Sequence, residues 1–558
     1  MKKALLLFGV LAASFTTQAQ VLYVNNSNGT YHEIDSKTTG DITFNEEQQL
    51  IRIELGNGIA SQFATRGITN IAPVSNNGTE LLPNLNPTVV FDATDKESYN
   101  EITQPVPTDE LDDEYGEFVE NFKTSRVITI TFNETGVMTT NLPDGITATI
   151  NGGHIVINST LSKIGYRVKG SCSNGSLKIY SDKKFQIMMQ SLNLTNPQGP
   201  AINIQSGKTV YFTLLTNSNN TLCDGATYNA PVVGSNGEEE DQKGTIFSEG
   251  QLIINGAGTL NVTSLGGHAI CSDDYIFVRG GNINILSAAK DGFRTKEKFI
   301  IGRAEAYSPT ININATSNGI ECTEGALTIE AGKLDITSGG EGIKVVYEET
   351  DPTVTPDAYI KGGYIRITTT GEKSSAIQTT GNYTQSGGII QATVNGNGSK
   401  IINCDGTAKF TTDEKNNTSG KLTGFVYGSV ATDETSAGGI KCSGNFEMTD
   451  GIVAIECNGR GAKALNCGNE VIIDNGEMTL ISTAEDYTDI ADDKKSRAIT
   501  AEIVTINNGT VIAKAYDNAI ASQIAINING GIVNAYSTNS IACNIEVTQT
   551  GGWLLTKD

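Results

Sequence analysis

The sequence predicts an all-β chain, a right-handed parallel β-helix with a small N-terminal β module and a helix capping one end. Three observations lead there. First, one unit recurs through residues 126–558: two short alternating strands around a Gly-Gly or Asn-Gly turn, closed by a small residue and then an aliphatic or aromatic one. The clearest copies are residues 274–293, 326–343, 358–377 and 523–541. Second, the closing residues, among them Ile270, Phe293, Ile320, Ile343, Ile377, Ile401 and Leu465, recur at the interval of a solenoid in which each coil is one supersecondary unit. Third, the turns between strands are too short for a helical crossover. Like-directed strands of successive coils must then pair directly, and parallel connections are overwhelmingly right-handed.

The elements follow in chain order. Residues 1–19 carry Lys2 and Lys3, an apolar run and a small-residue exit at Ala19, the layout of a secretory signal peptide. The expected location is therefore periplasmic, cell-surface or secreted. No cysteine follows that run, and no later apolar stretch is long enough to span a bilayer. Residues 20–75 hold three short strand patterns separated by turn signals, a small separate β module that could meet a cell-envelope or protein partner. Residues 76–125 are a linker and a helix. In 108–122, Leu111, Tyr115, Phe118, Val119 and Phe122 stand at helical spacing with acidic residues in the first turn. An amphipathic helix of this kind can cover the unpaired strands at a solenoid end.

Residues 126–558 form the β-helix. Pairs such as Ile283/Ile285 and Ile365/Ile367 alternate with polar residues, so one face of each strand points inward. The interval 401–465 is too long for one coil and reads as an extra coil plus a protruding loop at 411–420. The charged segment 484–496 is a second excursion.

Nine cysteines in an exported chain invite disulfides, but nine is odd. Cys322, Cys467 and Cys543 each stand two residues after a closing aliphatic, a slot filled elsewhere by Ser272, Thr295, Val345 and Thr379. Two residues along a strand is the same face, so these cysteines read as members of an inward ladder.

The formal net charge of −23 repels nucleic acid and anionic membranes. An acidic polysaccharide would be repelled too unless something positive intervened. Two columns could supply chemistry. The position before the small-aliphatic pair is His268, Asp291, Asn318, Glu341 and Ser375 in successive coils, with Asp273, Asp274, Glu321 and Glu324 close in sequence. Stacked carboxylates repel unless protons or a cation relieve them. Calcium suits carboxylate, amide and carbonyl ligands, and Asp273, Asp274, Asp291, Glu321 and Glu341 are its candidate ligands. The alternative is that Asp and Asn occupy turns because they bond nearby backbone. With only three histidines in the chain, a transition metal fits poorly.

The second column, one residue after the closing aliphatic, is Arg294, Glu321, Lys344 and Gln378. It should face outward as a polar strip whose groups could pair with the hydroxyls or carboxylates of an extended sugar chain, Arg294 suiting a uronate. A merely solvated face is the alternative. Trp553 is the one tryptophan, and Tyr275, Tyr359, Tyr364 and Tyr383 are the other stacking candidates. For catalysis, Lys344, Arg294 or Lys290 could be named as the base of a β-elimination lyase, but no nucleophile motif accompanies them.

Residues 199–214, 219–228, 244–262, 268–285 and 289–297 resemble the exported bacterial carbohydrate-binding domain family of right-handed parallel β-helices, which binds cellulose and acidic sugars and has a pectate-lyase-like fold. The family's Ser-x-Asp segment is matched by Ser272, Asp273 and Asp274, and its Asp-Gly-Ile turn by Asp291, Gly292 and Phe293. The turn at Asn318 lacks the family's carboxylate. The resemblance implies a calcium-dependent, non-catalytic protein that recognises plant-type or acidic polysaccharide. A lyase of the same fold and a structural surface adhesin are the rival readings.

Overall fold

The computed structural model describes residues 21–557, apart from 36–38, 57, 73–74, 76, 83, 99–115, 235–236, 304–307, 350, 414–417, 491 and 538–546. The signal peptide, residues 108–115 of the expected helix, and Cys543 lie outside the described residues. The chain divides into two compact units, one of Met1–Val90, Thr407–Phe410 and Thr423–Asp558, the other of Phe91–Gly406 and Thr411–Leu422.

The second unit is a stack of coils in which each coil contributes three short strands, and each strand pairs in parallel with its counterpart one coil later. One face runs through Gly244–Ser248, His268–Ser272, Phe293–Thr295, Ile320–Cys322, Ile343–Val345, Ile377–Thr379 and Lys400–Cys404. A second runs through Leu252–Gly256, Ile276–Val278, Phe299–Ile301, Leu327–Ile329, Ala358–Ile360 and Tyr383–Gln385. A third runs through Thr259–Ser264, Asn282–Ala288, Thr310–Ala315, Lys333–Ser338, Tyr364–Thr369 and Ile389–Val394. The strands of these three faces are only three to seven residues long, so each coil buries little alone and stacking supplies the core.

The closing residues stack as the repeat predicts: Ile270, Phe293, Ile320, Ile343 and Ile377 are paired in register and almost wholly buried. The column continues through Ile402, one residue later than the expected Ile401. Both isoleucines are buried, so hydrophobicity alone could not choose between them. At Gly319 the small residue before the closing aliphatic has a steric cause. A Cβ on Gly319 would stand 2.4 Å from Ile336 Cγ2 and 2.5 Å from the Gly342 carbonyl oxygen. Two residues beyond the closing position, Ser272, Thr295, Cys322, Val345, Thr379 and Cys404 form the inward ladder. All eight described cysteines are free thiols.

The first coils of this unit end in antiparallel hairpins. Arg126–Asn133 pairs with Gly136–Thr139, and Ile146–Asn151 with Gly153–Ser159. Of the expected helix, the described part is an extended strap with one 3-10 turn at Val119–Asn121. It lies along the side of the coils. Phe118 packs under the Arg279 guanidinium at 4.7 Å, and Phe122 lies 4.9 Å from the Tyr211 ring. The strap thus covers an apolar patch of Tyr211, Ile253, Tyr275 and Phe277. The buried Glu117 pairs with Arg303 at 3.1 Å and Lys298 at 3.5 Å. At Phe118, Val119 and Phe122, the apolar spacing expected of a helix therefore marks residues that pack against this side face.

In the first unit, parallel coils run through Gly438–Cys442, Lys463–Cys467, Arg497–Ile506 and Ile520–Ile528. The N-terminal module is continuous with them. Ile59–Ala64 pairs antiparallel with the final strand Trp553–Lys557, which pairs in parallel with Ile532–Ser537 on its other side. Val24, Ile34, Ile53 and Phe63 share a core with Trp553 and Leu555. An open last strand would present unpaired backbone groups, and the module closes that edge. Of the two excursions, 411–420 contains the hairpin Thr412–Asp413 with Thr418–Ser419, and 484–496 closes on a bridge between Tyr487 and Lys494.

Candidate functional site

The strip on the first face is built by strand alternation. Cys271, Arg294, Glu321, Lys344, Gln378 and Asn403 are register partners in six successive coils. All four residues expected to face outward are in this line. Its charges are organised around Glu321, which accepts from Arg294 Nε at 3.1 Å on one oxygen and from Lys344 Nζ at 2.9 Å on the other. The two cations are each 28% exposed and Glu321 12%. Arg294 meets Glu321 through Nε, so its terminal amino groups are not spent on that carboxylate. Both cations are held more firmly protonated than usual. Burial opposes this, and it is outweighed for Arg294 by Cys271 and Glu321 and for Lys344 by Glu321 and Glu341.

Beside the strip runs the edge column. His268 Nδ1 lies 2.9 Å from Asp291 Oδ2. Asp291 Oδ1 accepts the Asn318 backbone N–H at 2.9 Å, and Asn318 Oδ1 accepts that of Glu341 at 3.0 Å. Each side chain therefore ties its coil to the next. Burial pushes the Asp291 carboxyl up, but His268 and the Asn318 N–H outweigh it and leave it below the usual range. Glu341 is raised, chiefly by burial, which its own backbone N–H and Lys344 only partly offset.

The structure does not gather the five expected calcium ligands. Asp291 and Glu341 stand in the edge column and Glu321 in the strip, Asp291 and Glu321 with both oxygens already bonded. Asp274 accepts from Gln251 Nε2 at 2.7 Å and from the Tyr275 backbone N–H at 2.8 Å. Asp273 instead joins Asp241 and Glu249, whose ligand oxygens lie within 4.8 Å of one another, the one such group among the described residues. Lys243 Nζ stands 2.9 Å from Asp241 and 2.6 Å from Asp273. Burial and then the neighbouring carboxylates raise Glu249. Asp273 is raised by burial and by Asp241 against the pull of Lys243.

Glu249 was legible in the sequence, because Ser248 is the register partner of Ser272 and Glu249 therefore precedes Asp273 by one coil in the same slot. Asp241 and Lys243 follow an irregular segment that no repeat aligns. Of the aromatic candidates, Tyr275, Tyr364, Tyr383 and Trp553 are buried, and Tyr359 bonds Asp357. No exposed aromatic platform forms from them.

No described helix is long and apolar enough to cross a membrane. No curated protein matches the chain. A solved structure described as "Structure of the polysaccharide lyase-like protein from C. thermocellum, Gadolinium derivative" is 22% identical, covers 51% of this chain and 97% of that one, and superposes with a TM-score of 0.38. A family model described as "Carbohydrate-binding domain-containing protein" matches residues 151–486, more than half of the 558 residues. That span holds the strip, the edge column and the three-carboxylate group, and the chain belongs to the carbohydrate-binding domain-containing protein family.

Proposed function

We propose that this chain is a non-catalytic, exported polysaccharide-binding protein that reads acidic or plant-type polysaccharide along the outer strip of its coils. The observation that carries the reading is the in-register line of Arg294, Glu321, Lys344 and Gln378 within the carbohydrate-binding span. Hydrogen-bonding groups at every strand spacing of about 4.8 Å suit an extended ligand with repeated hydroxyls. Arg294 and Lys344 answer the difficulty posed by the acidic chain, because they offer local positive charge to a uronate carboxylate.

Calcium belongs to this proposal at Asp241, Glu249 and Asp273. Three carboxylates in half-buried positions fit a hard divalent cation that takes oxygen ligands, and the neighbouring carboxylates that add to burial in raising Glu249 and Asp273 exert a repulsion an ion would relieve. Lys243 now relieves part of it, so a cation would displace or adjoin that ammonium.

A glycan array probed with calcium and again with chelator tests the reading. Binding to acidic polysaccharide that weakens in chelator is expected. An unsaturated product absorbing in the ultraviolet after incubation with polygalacturonate would replace it with a lyase. Failure to bind any glycan, together with tight binding to a cell-envelope protein, would replace it with an adhesin.

A further inference from the structure

Outside the matched span, the N-terminal module and the last coils enclose a cleft of about 330 Å³. Its walls include Asn26, Asn28, Arg66, Asn529, Gly552 and Trp553, and among the described residues no acidic one lines it. In a chain with a net charge of −23, an acid-free wall around a guanidinium is a local reversal of sign. Arg66 is exposed and has neither an ion pair nor a hydrogen bond among the described residues.

The amides beside it are already oriented. Asn28 Oδ1 accepts from the Thr30 backbone N–H at 3.0 Å and from its hydroxyl at 2.7 Å. Asn529 accepts the Thr550 hydroxyl at 2.7 Å and donates to Asn507 at 2.9 Å. Gly552, at φ 70°, brings bare backbone to the wall. Trp553 is 2% exposed, and its indole N–H is a buried donor without an acceptor among the described residues.

We propose that this cleft is a second saccharide site, for a single uronate residue. A free guanidinium selects a planar carboxylate, which it can hold through two N–H donors. Oriented amides and open backbone suit ring hydroxyls, and the buried indole of Trp553 is packed into that wall. The volume lies at the small end of the ~300–1,000 Å³ of small-ligand sites. It fits a monosaccharide or a chain end and not the extended run that the outer strip would hold.

Trp553 is the one tryptophan of the chain, so intrinsic tryptophan emission reports on the cleft and not on the strip. The experiment titrates the full chain with galacturonate, with glucose as the uncharged control, and follows emission and calorimetric heat in parallel. Saturable emission change with galacturonate is expected, with at least tenfold weaker response to glucose. Arg66→Gln should weaken galacturonate at least tenfold while leaving the far-ultraviolet circular dichroism unchanged. Arg66→Lys, which keeps the charge but loses the planar fork, should fall between. Arg294→Gln, on the strip, should not move this titration, so the two sites can fail separately. Absence of both emission change and heat in the wild type, or an Arg66→Gln response equal to the wild type's, overturns the proposal.

Discussion

Arg294→Gln removes the strip's guanidinium while keeping a side chain of similar reach. In the folded chain Arg294 is 28% exposed and spends one N–H on Glu321 at 3.1 Å. A charge-assisted hydrogen bond to a ligand contributes about 1.5–3 kcal/mol. Partial exposure and screening place Arg294 at the lower end, about 1.5 kcal/mol, or roughly tenfold in affinity. The cost to the fold is smaller, below about 1 kcal/mol, because Glu321 keeps Lys344 at 2.9 Å. Calorimetry with oligogalacturonate should thus show roughly tenfold weaker binding, steeper at low salt, with a thermal midpoint close to that of the wild type. A neutral glucan oligomer should bind both proteins alike. Equal oligogalacturonate affinity, or an equal loss for the neutral glucan, would refute the assignment of Arg294 to carboxylate recognition.

Further outcomes follow from other groups. Calcium should raise the thermal midpoint of the wild type but not of Asp273→Asn, measured by scanning fluorimetry with calcium and with chelator. Glu341 has a raised folded pKa, so its ionisation lowers stability as pH rises from about 4.5 through that raised value. Glu341→Gln should therefore gain on the wild type over that window in pH-dependent unfolding. Asp291 has a lowered folded pKa, so its contribution is present above about 3.8 and lost as pH falls through the folded value. Asp291→Asn should flatten that acid limb. Glu117→Ala leaves Arg303 and Lys298, 28% and 33% exposed, without their carboxylate, and loss of charge-assisted hydrogen bonds of this kind costs about 1.5–3 kcal/mol; limited proteolysis should cut the strap faster. Thiol titration in denaturant without reductant should find at least the eight free cysteines.

The parts of this structure legible in the sequence are those set by local alternation repeated from coil to coil. Residues 293 and 294 face opposite ways because they are neighbours in a strand, and the same step from 320 to 321 and 343 to 344 lines up the strip. The slot after the closing residue likewise places Cys322 inside. Sequence-distant pairing was not legible. Nothing in residues 59–64 points to residues 553–557, because an edge strand is defined only once the last coil exists. Helical spacing in 108–122 was misleading at its described end, since Phe118, Val119 and Phe122 satisfy an apolar surface that belongs to other coils. The carboxylate group was half visible: Asp273 and Glu249 share a repeat slot, whereas Asp241 and Lys243 come from a segment without one.

Hydrogen–deuterium exchange of the full chain with and without polygalacturonate tests the central claim most directly. The account predicts added protection in Phe293–Thr295, Ile320–Cys322 and Ile343–Val345, the strands that carry Arg294, Glu321 and Lys344. Binding that leaves those strands unchanged and protects only other faces of the coils would contradict it.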